Sequence, residues 1–196
     1  GDVYKRQDLA LAKDAGFTDI VVDVRPTTGD VLFKTNLVDQ VKFMYAWIGS
    51  NYTKVERTAT WDYLQAFVDE ARKQGLRIHA AINTFVGGNQ IDGGTGLLYR
   101  DQSKAEWATQ MNMQVGITSV MNTSESTKFF NPAHPEVQTF LCDLLKDLAG
   151  YDLDGIFLDR GRFLNLQADF SEESRKQFEE YMGGIRIQNY PNDILA

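Results

Sequence analysis

Apolar positions run along this chain in two alternating rhythms. Thr18 to Pro26 (TDIVVDVRP) is β-branched and almost continuously apolar, which suits a strand covered on both faces. Arg77 to Phe85 (RIHAAINTF) and Leu153 to Asp159 (LDGIFLD) predict two more strands. Between them the period changes. Trp61 to Gly75 carries Leu64, Phe67, Val68 and Ala71 on one face and closes on Lys73 and Gly75, the signature of an amphipathic helix with its stop signal. Pro135 to Gly150 predicts the next helix, with Pro135 in the first turn where its missing N–H costs least. Ser171 to Met182 predicts another, opened by a Ser-x-x-Ser capping variant with acids at 172 and 173. Asp8 to Gly16 reads as the tail of a helix ended by Gly16. Strand then helix, repeated, implies an α/β chain with a parallel sheet and right-handed crossovers.

Strand parity then places the polar residues. Alternate residues share a face, so Val21, Asp23 and Arg25 are expected on one side of the first strand, His79, Ala81 and Asn83 on one side of the second, and Gly155, Phe157 and Asp159 on one side of the third. The last polar residue of each set, Arg25, Asn83 or Asp159, sits at a C-terminal strand end. That is the arrangement of a (β/α)8 barrel, whose working residues lie at the C-terminal rim; a doubly wound open sheet would place its site at the same strand ends. The connections agree. Pro26 to Thr60 and Val86 to Ala133 far exceed an ordinary βα connection of about 2 to 6 residues, whereas the αβ turns at Gly16 and Gly75 are short. Phe33, Tyr45, Trp47, Tyr52, Tyr99, Trp107, Phe129 and Phe130 lie in those long loops. Most are expected to form a satellite core; Trp47 and Tyr99 are the candidates for exposed contacts. Trp107 to Met113 alternates like one strand of a hairpin.

Composition narrows the class. Of 196 residues, 43% are hydrophobic and 24% charged, with one cysteine, so a disordered or disulfide-stapled chain is excluded. No apolar run approaches the roughly 20 residues of a membrane span. The net charge of −7 argues against a nucleic-acid or anionic-membrane partner. Asp2 to Gln7 (DVYKRQ) looks like one reading frame of a transposase adapter used in sequencing libraries, so residues 1–7 are expected to be a non-native tail and 8–196 the domain. The charge argument survives trimming it.

Four segments carry a family resemblance: VDVRPTTGDVLF, YLQAFVDEARKQGLRIHAAIN, FFNPAHPEVQ and YDLDGIFLDRGRF. In this order and spacing they resemble the glycosyl-hydrolase-like family 10, barrel proteins of bacterial polysaccharide-degrading systems. The resemblance implies a partial (β/α)8 barrel whose strands are the second to fourth, with the first and the last four missing. It also implies an internal fragment, with Leu195-Ala196 as a premature stop, and a periplasmic, cell-surface or secreted setting.

The implied chemistry is glycoside hydrolysis, which needs two carboxyl groups flanking the bond. Asp159 is the leading catalytic carboxylate: it ends a strand, faces the lumen by parity, and has Arg160 and Arg162, themselves candidate substrate-binding residues, nearby to favour its ionised form. The alternative is a structural acid paired with those arginines. Asp23 and Arg25 read as a substrate-positioning or scaffold pair. Asn83 could bond a sugar hydroxyl or cap the following loop. His79 lies deeper and reads as a satisfied lumen histidine, and Asp154, at the strand entrance, is not expected to be catalytic. His134 could touch substrate or stabilise its own turn. The general acid is left unassigned, a strand outside the chain being one source for it. The remaining expectations are a carbohydrate substrate, no cofactor and no metal ligand set, since two separated histidines make a poor one. Gly87-Gly88 and Gly93-Gly94 read as turn glycines rather than a phosphate loop. A carbohydrate-binding barrel without hydrolysis, or an inactive fragment with exposed sheet edges, would account for the same features. Oligomeric state is not legible.

Overall fold

The computed structural model describes residues 2–195. Gly1 and Ala196, the outer ends of the expected tail and the expected early stop, lie outside the described residues. The chain begins with helix α1 (Asp2–Asp14) and strand β1 (Asp19–Arg25), followed by a hairpin of β2 (Phe43–Ile48) and β3 (Asn51–Glu56). Helix α2 (Tyr63–Gln74) leads to β4 (Arg77–Asn83). A long excursion holds β5 (Val86–Asn89), the short α3 (Leu97–Arg100), β6 (Gln110–Met113), β7 (Gly116–Ser119) and β8 (Thr127–Phe129). Helix α4 (Pro135–Leu148), β9 (Gly155–Asp159), α5 (Glu172–Tyr181) and the single turn α6 (Asn192–Leu195) complete it.

The stop signal at Gly75 and the cap at Ser171 act as expected, while α2 starts two residues later than the periodicity suggested. Asp62 caps α2 by accepting the Gln65 N–H, and Gly75 ends it in the left-handed region at φ 67°, which glycine adopts without a Cβ clash. Ser171 caps α5 by accepting the Ser174 N–H. α1 extends through residues 2–7, the segment expected to be adapter-derived; there Lys5 Nζ lies 3.2 Å from the Trp61 ring centroid and Arg6 Nε 3.8 Å from Glu70.

Three strands form one parallel sheet in the order β1-β4-β9, joined through helices as the alternation predicted. The register places Asp23 beside Ala81, Ala81 beside Phe157, and Asn83 beside Asp159. One face is covered: Val22, Val24, Ile78, Ala80 and Ile82 are buried with Leu64, Val68 and Ala71 of α2 and Val137, Leu141 and Leu144 of α4. The other face is open, with Val21 58% and Phe157 56% exposed. Leu158, on the covered side by parity, is also exposed, because α5 contributes no buried residue over it. The long connections are structured: β2–β3, β5–β8 and β6–β7 are antiparallel pairs. Phe33, Trp107 and Phe130 join the main core, so the aromatics expected beneath the loops extend one continuous core. Gly87 and Gly88 belong to β5 rather than to a turn; a Cβ on Gly87 would come within 2.6 Å of the Phe130 ring.

Candidate active site

Four polar residues converge where the parallel strands end. Asp23 lies near the end of β1, Asn83 ends β4, Asp159 ends β9, and Arg160 follows at once. Asp159 is exposed and its Oδ1 accepts the Arg160 N–H at 2.7 Å. Its backbone carbonyl accepts the Thr84 N–H at 2.8 Å, which ties the end of β9 to β4. Arg160 holds a φ of 48°, a left-handed conformation that costs a side-chain-bearing residue about 1 kcal/mol or more. The strand therefore turns away sharply, leaving the Asp159 carboxylate at the lip.

Asp23 differs electrostatically. Burial raises its pKa above the ordinary aspartate value, and the negative charge of Asp159 pushes in the same direction; the Arg25 N–H, the Asn83 side chain and the Arg160 charge oppose this only in part. The two acids thus sense each other across the sheet. From the register they are two strands and two residues apart, about 12 Å between backbones at normal sheet spacings.

Arg25 does not join Asp23 on the open face. The register slips between Asp23 and Arg25, and the side chain turns into the protein, where it is 0% exposed. Its guanidinium donates to the carbonyls of Asn83 (2.5 Å), Thr84 (3.3 Å) and Val86 (2.5 Å). Burial lowers its pKa to about 10, so it stays charged at neutral pH. Asn83 answers by donating Nδ2 to the Arg25 carbonyl at 2.9 Å and is itself buried. This reciprocal clamp fastens the ends of β1 and β4 and offers Arg25 to the backbone rather than to a ligand. Among the described residues neither Arg160 nor Arg162 forms an ion pair with Asp159, so the paired structural-acid alternative is not what the structure shows: Arg162 donates to the carbonyls of Phe163 and Leu164, and Arg160 contributes its N–H.

The other expected residues lie elsewhere. His134 caps α4, its Nδ1 accepting the Glu136 N–H at 3.2 Å, which is the turn-stabilising alternative. His79 sits at the entrance end of the sheet, its Nε2 2.8 Å from Asp19 Oδ1, and Asp19 also pairs with Arg77. Asp154 there accepts from Arg72 and from the Ile78 N–H, as a structural acid would. Tyr99 is half-buried, its ring filling the space that Cβ atoms on Gly88 and Gly94 would need. Trp47 projects from the β2–β3 hairpin, 70% exposed. Tyr63, at the start of α2, has its pKa raised by burial and by the charge of Asp23. The helical periodicity, which picks out Leu64, Phe67, Val68 and Ala71, does not single out Tyr63; only its place in the first turn of a helix following a long rim loop pointed to the site. Among the described residues no group of three or more His, Cys, Asp or Glu is placed to hold a metal ion.

Residues 2–191 match the family of glycosyl hydrolase-like 10 proteins. The chain belongs to that family. An S-layer-related protein of Niallia circulans is 31% identical over 96% of the chain, which spans 12% of that protein's length. Among solved structures, α-L-fucosidase isoenzyme 2 of Paenibacillus thiaminolyticus superimposes with a TM-score of 0.58 at 17% identity, over 92% of this chain and 23% of that one. A hypothetical protein of Ruminiclostridium thermocellum ATCC 27405 gives 0.57 at 14% identity, over 93% and 84%. For this glycosyl hydrolase-like 10 chain these likenesses establish an α/β fold shared with a glycosidase.

Proposed function

We propose that this chain carries part of the active site of a glycoside hydrolase acting on a polysaccharide or oligosaccharide at the cell surface or outside the cell. In this reading the parallel sheet is a segment of a (β/α)8 barrel, and its open face, with Val21 and Phe157 uncovered, belongs to the lumen. The observation that carries the reading is the pair of rim carboxyls at the ends of β1 and β9, of which Asp23 is shifted toward its protonated form. Asp159 is exposed at the end of β9 and accepts the Arg160 N–H, which leaves its carboxyl open to a substrate. Asp23 holds its proton to higher pH than an ordinary aspartate, as suits a group that donates to substrate oxygen. Asn83 and Arg25 position Asp23 and the strand ends without touching substrate. The S-layer relationship of the Niallia circulans protein supports the cell-surface setting. Among the described residues no helix is long and apolar enough to cross a membrane.

The test is release of reducing sugar from a panel of polysaccharides by the chain within its complete reading frame. Turnover of at least one substrate, with a rate that falls as pH rises through the Asp23 pKa and loses that limb in Asp23→Asn, is expected. Binding without turnover across the panel would favour a carbohydrate-binding barrel instead.

A further inference from the structure

We propose that the aromatic row on the β2–β3 hairpin is a binding site for a neutral polysaccharide chain. Antiparallel pairing sets Tyr45 opposite Lys54 and Trp47 opposite Tyr52, so Phe43, Tyr45 and Trp47 share one face with Tyr52 and Lys54. The rings touch in sequence. Phe43 and Tyr45 meet edge to face at 6.0 Å, Tyr45 and Tyr52 stack at 5.3 Å, and Trp47 lies 5.3 Å from Tyr52. Trp47 is 70% and Tyr52 59% exposed. Stacked rings that end in phenol and indole N–H groups offer an apolar surface with polar tips, which matches a sugar ring with its C–H face and equatorial hydroxyls. The reverse face of the hairpin carries the aliphatic side chains of Met44, Ile48 and Val55, so this chemistry is confined to one side.

Charge selects the ligand class. Lys54 lies 4.5 Å from the Phe43 ring centroid, but its ammonium is held by Asp92 at 2.7 Å and Glu56 at 3.4 Å. The row therefore presents a neutralised cation, on a chain of net charge −7, and an anionic polymer gains nothing there. Position selects the use. The hairpin grows from the connection after β1, and the Lys54–Asp92 pair fastens it to the connection after β4. Both leave the end of the sheet that bears Asp23 and Asp159, so a glycan on the row is held beside the rim. The inference rests on the proposed function in taking carbohydrate as the ligand.

The experiment is native affinity electrophoresis of the full chain carrying Asp159→Asn, so that binding is read without turnover, in gels containing hydroxyethyl cellulose, galactomannan, xyloglucan or polygalacturonate. Retardation by at least one neutral polymer is expected, falling roughly tenfold in affinity when both ring contacts are removed in Trp47→Ala/Tyr52→Ala and largely kept in Trp47→Phe. Circular dichroism checks that the variants fold. The proposal is overturned if no neutral polymer retards the chain, if only polygalacturonate does, or if the double variant migrates like its parent. It is also overturned if light scattering finds a dimer that the double variant dissolves, since the row would then be a contact between copies. The rim reading fails separately, by retained turnover in Asp159→Asn.

Discussion

Replacing Arg25 by methionine removes the clamp at the strand ends while keeping an unbranched side chain of similar length. Two short bonds, to the carbonyls of Asn83 and Val86 at 2.5 Å each, disappear in a site that is 0% exposed, where water cannot take their place. A buried polar group left unpaired costs about 1–3 kcal/mol, so the pair costs about 2–6 kcal/mol, a large share of the roughly 5–15 kcal/mol that holds a domain together. At about 2–4 °C per kcal/mol for a chain of this size, thermal unfolding followed by circular dichroism should shift down by at least about 4 °C. Arg25→Lys, which keeps the charge but not the fork, should fall between. A melting temperature for Arg25→Met within about 2 °C of the parent would refute the clamp as a source of stability.

Two further perturbations probe the entrance end of the sheet. Gly155→Ala would place a Cβ 2.7 Å from His79 Nδ1, displacing the ring from Asp19 at a cost of about 1–3 kcal/mol; His79→Ala in the same chain should recover part of that loss, and strict additivity by denaturant titration would contradict the contact. Asp154 has its pKa lowered chiefly by the Ile78 N–H and by Arg72. A lowered folded-state pKa stabilises at pH above the unfolded value near 3.9 and is lost as pH falls through the folded value. Asp154→Asn should therefore destabilise at pH 7 and converge on the parent as pH falls below the lowered folded-state pKa, and a constant difference over that fall would argue for a purely steric effect.

The parallel strands and amphipathic helices were legible because each buries one regular face, and Leu64, Val68 and Ala71 or Ile78, Ala80 and Ile82 recur at the matching period. The β2–β3 hairpin was not, because both of its faces are partly exposed and Phe43 to Ile48 lacks alternation. Its signal was the two-residue Gly49-Ser50 link between aromatic runs, with Gly49 at φ 62°, a hairpin turn cue. Asp23, Asn83 and Asp159 reach the rim as strand parity requires. Arg25 departs from parity because a register slip between residues 23 and 25 is a tertiary event, set by the carbonyls it satisfies, that no local pattern encodes. Arg160 and Arg162 illustrate the same limit: adjacency in sequence to Asp159 does not determine where a long side chain finds its acceptors.

The most direct measurement is kcat for Asp159→Asn, in the complete reading frame, on whichever polysaccharide the parent hydrolyses. Replacing one carboxyl group of a two-carboxyl mechanism should lower kcat by about 10²–10⁴-fold while the affinity for the same polymer stays within about threefold, since the amide preserves shape. An unchanged kcat would remove Asp159 from the chemistry and with it the reading of the rim as a hydrolytic site.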